Sequence, residues 1–200
     1  MLESYDNFLG HKVLAVFRCG SSIYGLNQEN SDNDLTVILD GYNSRDVIKE
    51  DGIDYFVFGK ETYKDLLALN IPGASYSKIW IDNVTLIKDN LLYLDSEYKQ
   101  EFEKVINVNW NLIFKKWLEL NICYFKARLY PDCLNKSLYH IYRLHSIVEL
   151  YEKEGKFLSH FNKEDFDLAL DFKSNESNRK SHYLRMKKIL DELEDKLWAL

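Results

Sequence analysis

The 200-residue chain contains two prolines and eight glycines, and no glycine at all between Gly73 and Gly155. So little linker chemistry excludes a long flexible hinge between freely moving domains. Its three cysteines, Cys19, Cys123 and Cys133, are an odd number without metal-ligand spacing. That excludes a disulfide framework and a cysteine-based zinc site, and reduced thiols are the expected state. No apolar run approaches the roughly 18 residues needed to cross a bilayer. The opening stretch MLESYDNFLGHK lacks the basic n-region and long apolar core of a secretory signal. A cytoplasmic protein with no membrane partner is therefore expected. A Walker loop and a Ser-His-Asp set with a nucleophile elbow are also absent from the sequence.

What is present suits a packed core. The chain is 46% hydrophobic, 14% aromatic and 29% charged, too apolar for disorder. Its length fits one large domain or two small ones. The net charge of −6 opposes indiscriminate binding to a polyanion. The charge is unevenly spread: 10 basic and 18 acidic residues over 1–110, 6 and 2 over 111–145, and 10 and 12 over 146–200. An acidic N-terminal half thus precedes a locally basic middle segment.

KVLAVFRC (12–19), DLTVILD (34–40) and IDYFVFG (53–59) read as strands, rich in β-branched and aromatic residues. GYNSRDVIKEDG reads as the connection between the last two, VTLIK (84–88) as a further short strand, and residues 2–9 as a short helix. KETYKDLLALN (60–70) places Tyr63, Leu66, Leu67 and Asn70 at helical spacing. From about Ser96 apolar residues recur at three and four, which predicts helices near 96–108, 109–129, 134–154, 163–171 and 178–198. Two domains follow as an expectation, a mixed α/β core over 1–95 and a helical domain over 96–200 packed against it.

The stretch FRCGSSIYGLNQENSDNDLTVIL (17–39) carries the chemistry. Strand residues two apart project to one side, so Asp32 and Asp34 face one way if the strand extends back through them. Two such carboxylates raise each other's pKa unless a cation lies between them, and a hard divalent cation is the natural partner. Asp54 in the next strand is placed to join them, with Asp51 a weaker candidate. Three carboxylates suit two magnesium ions about 3.5–4 Å apart. Gly20 lets the backbone approach a ligand closely. Ser21 or Ser22 can cap a short helix through SIYGL, and the amides at its start, with the Ser21 hydroxyl, offer an anion site. An anion site beside a dication site suits a magnesium–nucleoside triphosphate, with attack on its α-phosphate.

This strand–GSS–helix–loop–SDND–strand pattern resembles the DNA polymerase β-type nucleotidyltransferase superfamily, with its Gly-Ser turn, Asp-x-Asp and later Asp. More narrowly it is similar to the predicted nucleotidyltransferase family associated with RNA repair, at Gly20, Ser21, Gly25, Ser31, Asp32 and Asp34. Ser22 replaces that family's arginine, which removes one fixed cation near the triphosphate. LLALNIP matches the family's Asn-Pro segment except for Ile71. NKSLYHIYRLHSIVELYEKEGKFL (135–158) matches its Lys-x-x-x-His-x-x-Arg helix at Lys136, His140 and Arg143, followed by Gly155. The likeness spans about residues 10–195. It implies an α+β fold, a small mixed palm-like sheet followed by a C-terminal helical bundle. It implies two Mg2+ ions held by Asp32, Asp34 and Asp54, an NTP substrate such as ATP, and nucleotidyl transfer.

Lys136, His140 and Arg143 also stand at i, i+4 and i+7, one face of a helix, and form a candidate phosphate clamp with Gly20, Ser21 and Ser22. The bland alternative makes His140 a core histidine and lets the other two snorkel. Tyr24, Tyr139 and Tyr142 are candidate base-stacking residues, while His145 and Trp110 read as structural. The acceptor remains open between an RNA or tRNA 3′ end and a protein hydroxyl. A non-catalytic nucleotide- or protein-binding module is the alternative reading.

Overall fold

The computed structural model describes residues 5–26, 33–69, 90–107, 110–155 and 161–199. The loop with Ser31 and Asp32, the Asn70–Ile71 segment and residues 84–88 lie outside the described residues. The chain is α+β and forms two compact units, Met1–Asn109 and Trp110–Leu200.

The first unit is built on strands β1 (Asn7–Phe8), β2 (His11–Cys19), β3 (Asn33–Leu39), β4 (Arg45–Glu50), β5 (Ile53–Gly59) and β6 (Leu91–Leu94). Their order is β1-β2-β3-β5-β4, with β6 also paired to β2. β3 and β5 run parallel and every other pair is antiparallel, so the sheet is mixed. Five successive residues of β2, Val13 to Phe17, are buried, the signature of a strand covered on both faces. Val13, Val16, Val37, Leu39, Tyr55 and Val57 form one cluster, flanked by Tyr5, Phe8 and Tyr93. Elsewhere, helix α1 (Lys60–Leu67) sets the buried Tyr63 ring 6.1 Å from both Phe17 and Phe58. Helix α2 (Lys99–Ile106) completes this unit.

Two expectations change here. Phe8 and its neighbour are a strand, not a helix, because Leu9 and Gly10 (φ 54° and 78°) turn the chain tightly into β2. The segment expected as a connection contains β4. Asp51 and Gly52 (φ 50° and 76°) close a two-residue hairpin between β4 and β5, the twist-matched loop that Asp-Gly favours.

The second unit holds helices α3 (Trp110–Lys126), α4 (His140–Glu154), α5 (Lys163–Ser174) and α6 (Arg179–Ala199). α3 packs on α6, and α4 packs on both α5 and α6. Trp117, Ile141, Ile147, Phe172 and Leu193 are wholly buried in it. Lys126 bridges α3 to Asp191 (3.0 Å) and Glu194 (2.7 Å) of α6. α4 begins at His140, later than expected, because residues Lys136–Tyr139 form a tighter 3-10 turn whose entry Asn135 caps by accepting from the Ser137 amide at 2.9 Å. No described helix is long and apolar enough to cross a membrane.

The hairpin is testable. A side chain in the left-handed region costs roughly 1–2 kcal/mol. Gly52→Ala is expected to lower stability in urea by about 1 kcal/mol, whereas Asp51→Gly is expected to be near neutral.

Candidate functional site

A single row of paired residues crosses the sheet. Cys19 of β2 pairs with Asp34 of β3, Asp34 with Asp54 of β5, and Asp54 with Lys49 of β4. Directly paired residues point to the same face, with strands about 4.8 Å apart. The row therefore sets two carboxylates side by side and an ammonium at its end. Lys49 Nζ forms an ion pair with Asp54 Oδ2. The Asp54 side chain is 16% exposed and that of Lys49 is 69% exposed. Asp54 thus already has a cation beside it.

The Gly-Ser turn meets this row. Gly20 has φ +78°, a conformation L side chains avoid. A Cβ added there would overlap the Asp34 carboxylate and stand 2.8 Å from the Asp34 Cβ. Glycine is thus required twice over, for the backbone angle and for the close approach. The helix expected after it is a four-residue 3-10 turn, Ser21–Tyr24, without a side-chain cap. The turn closes on itself: Ile23 N–H donates to the Gly20 carbonyl (3.3 Å) and Leu26 N–H to that of Ser21 (3.0 Å). The Ser22 hydroxyl donates back to the Cys19 carbonyl at 3.4 Å. Of the candidate catalytic set, Asp34 and Asp54 are paired across the sheet, with the nucleotide-binding candidate Gly20 against Asp34, while Asp32 lies outside the described residues.

Lys136, His140 and Arg143 lie in the second unit. Lys136 is exposed in the 3-10 turn, whereas His140 and Arg143 are 5% and 2% exposed in α4. Tyr139 and Tyr142 are buried too. The Trp110 side chain lies outside the described ones.

Lys49 escaped the sequence reading, although its signal was present. A two-residue Asp-Gly loop at 51–52 forces Glu50 opposite Ile53 and Lys49 opposite Asp54. Two polar networks in the helical unit were also missed. The Tyr142 hydroxyl lies 2.5 Å from His182 Nδ1, and His182 Nε2 lies 2.9 Å from Asp171 Oδ2. That His182 bond holds the Asp171 carboxyl below its usual range. Around Asp165, Oδ2 lies 2.8 Å from His145 Nδ1 and accepts from the Ser146 hydroxyl (2.7 Å) and Asn162 Nδ2 (2.9 Å). The Asp165 contact raises the pKa of His145 despite partial burial. Apart from the local Asn162–Asp165 contact, the partners stand 11 to 40 residues apart and leave no local pattern to read.

No family model matches the chain, and no curated protein matches it. Among solved structures, a nucleotidyltransferase-like protein from Exiguobacterium sibiricum 255-15 is similar over 94% of this chain and 69% of its own, at 12% identity and a TM-score of 0.30. With so low a score, every functional statement rests on this chain's own residues.

Two outcomes follow. Gly20→Val is expected to fold with a lowered melting temperature, read by scanning calorimetry, because its side chain collides with Asp34. Arg143→Ala removes a buried charged donor and is expected to cost about 2–3 kcal/mol, whereas Lys136→Ala stays within about 0.5 kcal/mol; urea denaturation separates them.

Proposed function

We propose that the chain is a magnesium-dependent nucleotidyltransferase. It moves a nucleoside monophosphate from a triphosphate such as ATP to a hydroxyl acceptor, an RNA or tRNA 3′ end or a protein side chain, and releases pyrophosphate. The observation that carries this reading is the close approach of Gly20 to Asp34, whose β-sheet partner is Asp54. A phosphate-cradling type of turn and a carboxylate pair then share one end of the sheet.

The donor set fits magnesium. Asp34 and Asp54 offer hard oxygens side by side, and the ammonium of Lys49 on Asp54 shows a cation stabilised there. Asp32, two residues before Asp34, would join them as a ligand. Bound magnesium supplies Lewis acidity at the α-phosphate and lowers the pKa of the acceptor hydroxyl. Asp54 takes the acceptor proton as the hydroxyl oxygen forms its bond to the α-phosphorus. The bond from that phosphorus to the bridging oxygen breaks, and pyrophosphate leaves with its electron pair. Gly20 and the Ser21 amide and hydroxyl hold the triphosphate, with the Ser22 amide beside them. Of Lys136, His140 and Arg143, Lys136 is the one exposed to solvent. Burial gives His140 and Arg143 a first role in packing. The net charge of −6 favours an acceptor of small footprint.

A second reading, a non-catalytic nucleotide- or protein-binding module, is favoured by the same Lys49–Asp54 pair, which can satisfy Asp54 without metal. Incubation with each labelled NTP and Mg2+, alone and with RNA or cell lysate, separates the two. The enzyme releases pyrophosphate and labels an acceptor, and Asp34→Asn lowers that release at least about a hundredfold without unfolding. Undiminished release by folded Asp34→Asn contradicts the catalytic assignment. Nucleotide binding without any release supports the module.

A further inference from the structure

The Asp165 network leaves one feature that packing does not explain. His145 and Glu149 stand one turn apart on α4. His145 Nδ1 is held by Asp165 Oδ2 at 2.8 Å, and the Asp165 side chain is only 4% exposed. Glu149 is held in turn: its Oε2 accepts from Asn162 Nδ2 at 2.8 Å. Asn162 is itself fixed, because its side chain caps α5 through the Asp165 amide (2.8 Å) and its own amide donates to the Ser146 hydroxyl (3.1 Å). Both outer atoms are anchored, and the two inner atoms, His145 Nε2 and Glu149 Oε1, face each other across 3.5 Å.

That gap is long for a hydrogen bond, whose N···O distance centres on about 2.9–3.0 Å. It matches two ligands of one tetrahedral ion. With zinc bonds of about 2.0–2.1 Å to histidine and about 2.0–2.2 Å to carboxylate, neighbouring ligand atoms stand about 3.3–3.5 Å apart. A square-planar or octahedral ion would draw them to about 2.8–3.0 Å. The surroundings also follow the pattern of a metal site. A carboxylate orients the ligating imidazole from its far nitrogen, and a further hydrogen bond fixes the ligating carboxylate. The three ligand-bearing groups, His145, Glu149 and Asp165, converge within 4.8 Å.

We propose that His145 Nε2 and Glu149 Oε1 chelate a zinc-class divalent cation, with Asp165 and Asn162 as its positioning residues and two coordination positions left to water or a small ligand. This site is separate from the carboxylate row and does not depend on the nucleotidyltransferase reading. Its ion is borderline-soft where the Asp34–Asp54 pair suits a hard one. Because the ligands come from α4 and the groups that hold them from α5, ion binding also stabilises the pairing of the two helices, by mass action.

The test is Co2+ titration of the full chain, followed by visible absorption, with Zn2+ thermal shifts alongside. One cobalt per chain with the intense bands of tetrahedral coordination is expected, together with a rise in melting temperature with Zn2+. His145→Ala and Glu149→Gln should each weaken binding at least about tenfold, and Asn162→Ala by about 10-fold or more, the range for residues that orient a ligand. Glu149 is half exposed, so Glu149→Gln leaves the core alone and remains informative if other variants fail to fold. Asp34→Asn, in the other unit, should leave the tetrahedral bands unchanged. Absence of saturable binding, or bands unchanged in Glu149→Gln, overturns the proposal. So does a thiolate-to-cobalt charge-transfer band, which would put the ion on the exposed Cys123 or Cys133.

Discussion

The register between β3 and β5 is the constraint on which the candidate site depends. In this parallel pair Asp34 stands beside Asp54, and the pairing continues in step to Leu39 and Gly59. A slip of one residue would turn one carboxylate to the opposite face of the sheet. It would also send either Val37 and Leu39 or Tyr55 and Val57, those of the strand that slipped, out of the cluster they share. Burial of those apolar residues therefore holds the two aspartates together against their own repulsion. At roughly 25 cal/mol per Å2 of apolar surface, a handful of buried aliphatic and aromatic side chains outweighs one surface-facing like-charge contact, which the Lys49 ammonium further relieves. Gly20 completes the arrangement by admitting the Asp34 carboxylate where any side chain would collide.

Three of the six described strands, β2, β3 and β5, were legible because they are rich in β-branched and aromatic residues. The run VLAVF of β2 and the β-branched and aromatic runs of β3 and β5 mark three strands, which the structure sets side by side with Asp34 paired to Asp54. The helices were legible from their 3.6-residue period, with Tyr63, Leu66 and Leu67 of α1 buried as expected. β4 was not legible by apolar pattern, since RDVIKE is an edge strand with four charged residues, a common defence against edge-to-edge association. Its only strong signal was the Asp-Gly hairpin loop. β1 and β6 are short, and their identity comes from pairing with β2, a tertiary effect.

The basic helix face shows the limit of spacing arguments. Lys136, His140 and Arg143 have the separations of one helical face, yet the first stands in a 3-10 turn, exposed, while the others are buried. A 3-10 turn advances each residue by more than an α-helix does, so Lys136 is carried off the stripe. His145, read as structural, belongs to a linked set of five polar side chains of α4, α5 and the cap of α5. Buried polar groups need such partners, and the partners here are long-range, so the set is visible only once the helices are packed.

The central claim is that Asp34 and Asp54 together hold hard divalent cations for a nucleoside triphosphate. Electron paramagnetic resonance of free Mn2+, titrated into the protein with and without a non-hydrolysable ATP analogue, measures this most directly. The expected result is Mn2+ uptake that strengthens with the nucleotide and is lost in Asp34→Asn. Uptake that is absent with the nucleotide, or equal in wild type and Asp34→Asn, would contradict it.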